Sequence, residues 1–499
     1  MKKSLLLILL LMATSLSFSQ SKIGIFDNHT DIGQPKYPGF ASYDEHAQTY
    51  TIGGAGINMW GTTDQFHYLW TSIQGDFILR AEIDFQGGGV DPHRKTGWII
   101  KNNLDAHTQH INASTHGDGL TSLQHRDSIG GPTDQVISKD SFPDVIQLER
   151  RGSKYIMSTA KFGEEFTEVS IESNVMDNEV YVGLYVCSHN GNIAETVKFR
   201  NVRIVRPVDP AFRPYRDYIG SHLEVMDVES GHRKILFSSG HSIQAPNWTV
   251  DGKKLIYNSK GRLFNYELET SMITPLNTGF ATRNNNDHVL TFDGKLMGLS
   301  NHNDKDNGHS SLYYMPATGD SMPIKVTKDG VGQSYLHAWT PDNKKMIFTA
   351  NRKGQYDIYS VDIATGKETQ LTNQKTLDDG PEITPDGKYI FFNSTRTGKM
   401  KLWRMEANGA NQTQITFDEY NDWFPHISPN MKWIVYISFP KDIDPNEHPF
   451  YKHCLLKIMP YGGGESKVIG YIYGGQGSIN VPSWSPDSKK IAFVTNTRM

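Results

Sequence analysis

Residues 336–348 read LHAWTPDNKKMIF, and three other stretches share that form: APNWTVDGKKLIY (245–257), GPEITPDGKYIFF (380–392) and VPSWSPDSKKIAF (481–493). Each sets an apolar strand on either side of a tight turn. Aligned on the turn, the form occurs six times: Val250-Asp251, Phe292-Asp293, Pro341-Asp342, Pro385-Asp386, Pro429-Asn430 and Pro486-Asp487. A recurrence of roughly 40–45 residues is the length of one propeller blade. One position varies in an informative way. Four residues before the turn stand Pro246, Pro381, Pro425 and Pro482, but also His288 and His337.

Each turn leads into an apolar strand such as KLIYNS or YIFFNS, then into a third (YDIYSVDI, MKLWRMEA) and a fourth (KETQLT, NQTQIT). The sixth repeat stops after its second strand. The segment SHLEVMDVESGHRKILFS, ahead of the first turn, supplies the missing pair. The first and last segments should therefore share a blade, which closes the ring and leaves no free edge. The motifs SWSPDSKKIAF, TANRKGQYDIYSVDIATGKETQLT and NSTRTGKMKLWRMEANGANQTQITF resemble those of TolB-type six-bladed propellers. That resemblance covers about half the chain, and a fold so widely used leaves function open.

Upstream, residues 22–206 show no repeat. Runs such as DFILRAEIDF and EVYVGLYVCSH alternate with Gly/Asp/Asn turns, and the period of two predicts strands with one wet face. Many such strands over this length predict a β-sandwich. TGWIIKNNLDAHTQHINASTHGDGLTSLQHR and VYVGLYVCSHNGNIAETVKFRNVRI resemble concanavalin-like (laminin-G-type) jelly-roll modules. The expected fold is thus all-β: a concanavalin-like sandwich (22–206), a linker stiffened by Pro207, Pro210 and Pro214 (207–217), and a six-bladed propeller (218–499).

The chain has 499 residues, a formal charge of −4, 11% aromatic residues, 45 Gly and 23 Pro. That composition suits a turn-rich β protein, and the balanced charge excludes the basic footprint of a nucleic-acid binder. Residues 1–20, MKKSLLLILLLMATSLSFSQ, read as a signal peptide cleaved near Gln20, with a positive start and an apolar run. No later run could span a bilayer. The mature protein is expected outside the cytoplasm, periplasmic or secreted. Cys187 and Cys454 fall in different expected domains and read as buried free thiols. No nucleophile elbow, phosphate loop, zinc-protease helix or CxxC pair is present, which counts against protease, kinase and redox enzyme.

Candidate site residues follow from position relative to the turn. In a propeller the first strand of each blade lines the central channel, and the loop into it opens on one face. Four and three residues before the turn, blades two to five offer His288, His337, Glu382 and His426. Three imidazoles and a carboxylate suit a divalent metal (Zn, Mn or Ca, with His288, His337 and His426 as ligands) or acid–base work by His337, Glu382 and His426. Filling a blade interface and bonding a backbone carbonyl is the structural alternative for each histidine. Six residues before the turn stand Gln244, Asn286, Tyr335, Asp379, Trp423 and Asn480, polar groups suited to holding a ligand, and Gln476 lies in the Gly-rich loop before the last of them. Two long loops, NHNDKDNGHSS and FPKDIDPNEHPFYKHC, should open on the same mouth, and HGDGLTSLQHRD in the sandwich offers His116, Asp118, Gln124, His125 and Arg126. The leading expectation is an exported protein binding a polysaccharide, oligosaccharide or envelope protein. The alternatives are a glycan-active lyase or glycosidase, and a protein-interaction scaffold. Oligogalacturonate lyases are similar in architecture and residue type, but no motif carries over residue by residue.

Overall fold

The computed structural model describes residues 22–499, so the signal-peptide reading of residues 1–20 lies outside the described residues. Among those described, no helix is long and apolar enough to cross a membrane. Everything from Asn28 to Val205 builds two seven-stranded antiparallel sheets. Leu69, Trp98, Ile111 and Val182 of one sheet and Ile52, Leu79, Leu148 and Phe199 of the other meet in a single apolar core. Cys187 and Cys454 are both buried and unpaired.

From Gly220 onward the chain forms five four-stranded sheets and one three-stranded sheet. The three-stranded one joins Gly220–Asp227 to the last strand, Lys490–Thr497, in register from Gly220↔Thr497 to Asp227↔Lys490. Ring closure by the two ends of the propeller is thus present. The sixth blade's own first strand is reduced to a bridge, Trp484↔Ile491.

The repeated turn has a chemical cause. In every blade a hydroxyl two residues before the turn's Asp or Asn bonds that side chain: Thr249–Asp251, Thr291–Asp293, Thr340–Asp342, Thr384–Asp386, Ser428–Asn430 and Ser485–Asp487, at 2.6–2.8 Å. The same carboxylate or amide oxygen then accepts the backbone N–H two residues on, as in Lys253 and Lys388. These side chains satisfy the turn's own backbone, so the turn needs no outside partner. Neighbouring blades are tied by tryptophans. The Trp339 indole N–H donates to the Val289 carbonyl at 3.0 Å, and Trp484 does the same to His426 at 2.9 Å.

The two halves are bound by buried ions as well as by apolar contact. Arg203 of the N-terminal sheets and Arg233 of blade six both grip Glu224, at 2.6 and 2.9 Å, and Thr495 donates to the same carboxylate at 2.5 Å. Burial alone would raise Glu224, but the two guanidiniums hold it well below the usual carboxylate range. Arg80 reaches the Tyr471 carbonyl and Gln147, while Phe166 stacks on Tyr471 at 4.0 Å.

Candidate functional site

A cavity of about 910 Å³ opens where the first strands of the blades begin. Its walls come from the leading ends of Gln244–Trp248, Asn284–Leu290, Ser334–Trp339 and Asp378–Ile383, with Gln476 and Asn480 from the loop into blade six. A second cavity of about 310 Å³ lies at the other ends of the same strands, among Val250, Phe292, Pro385, Pro429 and Pro486 of the repeated turns.

Each first strand of blades one to five carries a bulge between these two levels. In blade three the register passes from Leu336↔Phe348 to Ala338↔Ile347, so His337 is the extra residue. A bulge re-aims side chains that simple alternation would place elsewhere. In blades one, four and five the residue ahead of the proline has positive φ (Ala245 53°, Gly380 58°, Phe424 55°), whereas the residues ahead of His288 and His337 do not. Proline and histidine therefore accompany two different bulge shapes.

The bulges separate the residues grouped from sequence. His337 lines the large cavity. His288 is fully buried with its ring nitrogens 3.1 Å from the Asn286 carbonyl and 3.3 Å from the Ile256 carbonyl, and burial pushes it down to about 4. His426 Nδ1 stands 2.7 Å from Glu382 Oε2, its Nε2 stands 2.6 Å from the Ile479 carbonyl, and Glu382 also accepts the Ile427 N–H. Glu382 faces the second cavity. The imidazoles of His288, His337 and His426 thus do not converge on one ion, and His337, Glu382 and His426 do not share one mouth. Among the proposed ligand contacts, Gln244, Asn286, Tyr335, Asp379, Gln476 and Asn480 all line the large cavity. Trp423 does not. It is buried beneath the mouth, stacked on His448 at 4.3 Å.

What gathers around His337 is a pair of carboxylates. Asp379 Oδ1 stands 3.5 Å from His337 Nε2, and Asp287 is the other acid that acts on the ring. Burial works against a charged imidazole here, but Asp287 and Asp379 outweigh it and hold His337 above its ordinary value. Asp379 is held below its ordinary range: burial would raise it, and His337 more than offsets that. Asp287 is pushed up to about 6 by burial and by Asp379, only partly relieved by His337. Asn285 orients it, donating at 2.9 Å to its carboxylate. The Phe424 ring lies between the two imidazoles, 6.0 Å from His337 and 5.4 Å from His448.

Asp287 was not legible from spacing, because strict alternation puts it opposite His288 without saying which of the two faces the channel. Tyr215 and Tyr218, from the segment between the two halves, also reach the cavity, and nothing in a Pro-rich linker marks that. Of the two long loops, the first contributes His302 and the second Asn446, His448 and Phe450. His453 instead turns to the N-terminal sheets, 3.3 Å from Glu149. Gly475 permits a close approach within the protein: a Cβ there would meet the Pro449 carbonyl oxygen at 2.1 Å. Three buried oxygens on the cavity wall, Asn284 Oδ1, Thr349 Oγ1 and Gln476 Oε1, have no hydrogen-bond partner.

A family profile described as the TolB beta propeller domain matches residues 317–448. An uncharacterized protein of Agrobacterium fabrum (strain C58) is 38% identical over 276 residues, 55% of this chain and 92% of that protein. A solved structure from Agrobacterium tumefaciens, provisionally named TolB, aligns at 36% identity and a TM-score of 0.54, over 57% of this chain and 100% of that one. An oligogalacturonate lyase in complex with manganese aligns over 51% of this chain and 74% of that one, at 13% identity and a TM-score of 0.34. A likeness that remote carries no argument about activity or metal.

Proposed function

The chain belongs to the TolB-like β-propeller family, and from that premise we propose that its propeller mouth binds an oligosaccharide outside the cytoplasm. The observation that carries this reading is the chemistry of the large cavity. Its wall carries side-chain amides (Gln244, Asn286, Gln476, Asn480) and aromatic rings (Tyr215, Tyr218, Tyr335, Tyr356, Phe424, Phe450). Amides offer donor and acceptor side by side, which suits neighbouring hydroxyls. Rings with a polar edge give flat apolar area beside them. His337 and Asp379 pair with each other at 3.5 Å, so the ligand need not be ionic. The three unpartnered oxygens, Asn284 Oδ1, Thr349 Oγ1 and Gln476 Oε1, are acceptors that ligand hydroxyls would satisfy. A volume of about 910 Å³ is within the usual range for a binding cleft.

On this reading the N-terminal sheets are a concanavalin-like sandwich over residues 22–206, joined by the 207–217 linker to the propeller, and residues 1–20 direct export. Tyr215 of that linker and Tyr218 at the start of the propeller close one side of the mouth.

A second reading, a glycan-active lyase or glycosidase, has one specific observation in its favour. Asp287 at about 6, beside a His337 held above its ordinary value, is an acid that exchanges its proton near neutral pH. Incubating the full chain with neutral and acidic oligosaccharides separates the two. Retention without new reducing ends or unsaturated products supports binding. Turnover abolished by Asp287→Asn supports the enzyme, and neither retention nor turnover removes both.

A further inference from the structure

We propose that His93, His116 and Asp118 of the N-terminal half form a site for a divalent transition-metal ion of the zinc class. One ligand atom from each lies within 4.8 Å of the others. His93 Nδ1 and Asp118 Oδ2 are 3.4 Å apart. Ligands on a tetrahedral ion with bonds of about 2.0–2.1 Å stand about 3.3–3.4 Å from one another. The spacing therefore needs only small side-chain adjustment to admit an ion.

The backbone builds this cluster rather than leaving it to surface chance. His116 ends the strand His110–His116 and pairs in register with Lys95, which opens Lys95–Lys101. The turn that follows is pinned to the loop ahead of Lys95. Gly117 N–H donates to the Arg94 carbonyl and Asp118 N–H to the Pro92 carbonyl, both at 2.8 Å. His93 N–H donates to Asp91 Oδ1 at 2.8 Å. Leu120 N–H occupies Asp118 Oδ1 at 3.1 Å, so Oδ2 is the oxygen left facing His93.

The deciding feature is His116. It is 4% exposed, yet neither ring nitrogen has a hydrogen-bond partner. A buried imidazole with both nitrogens unsatisfied costs free energy, and a metal bond removes that cost. His189 lies next to the cluster, its ring 5.5 Å from that of His93 and its Nδ1 3.1 Å from Asp91 Oδ1. That carboxylate–imidazole pair is placed to support a ligand or to become one. The neighbouring cations are mostly engaged elsewhere. Arg94 is paired with Glu195 at 2.8 Å, and Lys95 donates to Asn58 at 3.0 Å. Lys95 still lowers the affinity below that of a closed four-ligand site. The His93 side chain is 50% exposed, which leaves an open coordination position toward solvent.

The test is titration of tag-free full-length protein with Co²⁺, read by visible absorption and by bound metal after gel filtration. One Co²⁺ per chain is expected, with bands of a low-symmetry, His-ligated ion. His93→Ala and Asp118→Asn, both at exposed side chains, should each weaken binding by at least the roughly 10–100-fold that losing even an outer partner costs. His337→Ala in the propeller mouth should leave it unchanged. Absence of saturable binding overturns the assignment. So does binding that survives both sandwich variants or that is lost in His337→Ala.

Discussion

Asp287→Asn should stabilise the protein at pH 8 and not at pH 4. The carboxyl is 6% exposed and sits at about 6 rather than 3.8. A group whose folded value is raised favours folding only while protonated. That advantage is complete below the unfolded value near 3.8 and is lost as pH rises through about 6. Moving a carboxyl by that much amounts to about 3 kcal/mol against the fold at pH 8. Part of this is returned through His337, whose own charge depends on Asp287. The net gain expected for the amide is therefore about 1–2 kcal/mol at pH 8, or a few degrees in melting temperature. Asparagine keeps the shape and still accepts from Asn285, so no cavity confuses the result. The assay is urea unfolding of wild type and variant at pH 4, 6 and 8. A variant less stable than wild type at pH 8, or one whose effect does not change with pH, refutes the placement of a strained acid in the mouth. Strain of this kind belongs to ligand sites, where stability is given up for function.

Other outcomes follow from the framework. Glu224→Gln leaves Arg203 and Arg233 buried without their shared anion and should cost about 3–5 kcal/mol at pH 7. Because Glu224 is depressed in the folded state, the wild-type advantage is present above its unfolded value and fades as pH falls, so urea midpoints of the pair should converge in acid. Trp339→Phe removes the bond to the Val289 carbonyl and should cost about 1–3 kcal/mol, seen as a lower urea midpoint with an unchanged slope.

The propeller was legible because its signal is periodic and chemically local. The Thr/Ser-x-Asp/Asn turns close on their own side chains, so each copy shows in sequence without reference to its neighbours. The overlap of first and last strands followed from counting what the sixth repeat lacked. The site was legible only in part. Distance from the turn found the cavity residues Tyr335, His337 and Asp379, because those strands enter the channel at the same level. It failed for His288 and His426, since the bulge between cavity and turn changes shape from blade to blade and turns those rings onto backbone carbonyls. Asp287 escaped for the same reason. Tyr215 and Tyr218 escaped because nothing in their local sequence says which surface the segment ahead of Gly220 packs against. His116 and Asp118 stood out in sequence, but His93 did not, since only the pairing of Lys95 with His116 brings its loop to theirs.

On the proposed function, the ligand enters at the leading ends of the first strands and not among the repeated turns. The most direct measurement is the affinity of a retained oligosaccharide for wild type, Asn286→Ala, Gln476→Ala and Glu382→Gln. The expected result is a loss of roughly tenfold or more in each of the first two variants, about 1.4 kcal/mol apiece, and an unchanged affinity in Glu382→Gln. Loss of binding in Glu382→Gln with full affinity in the other two would contradict it.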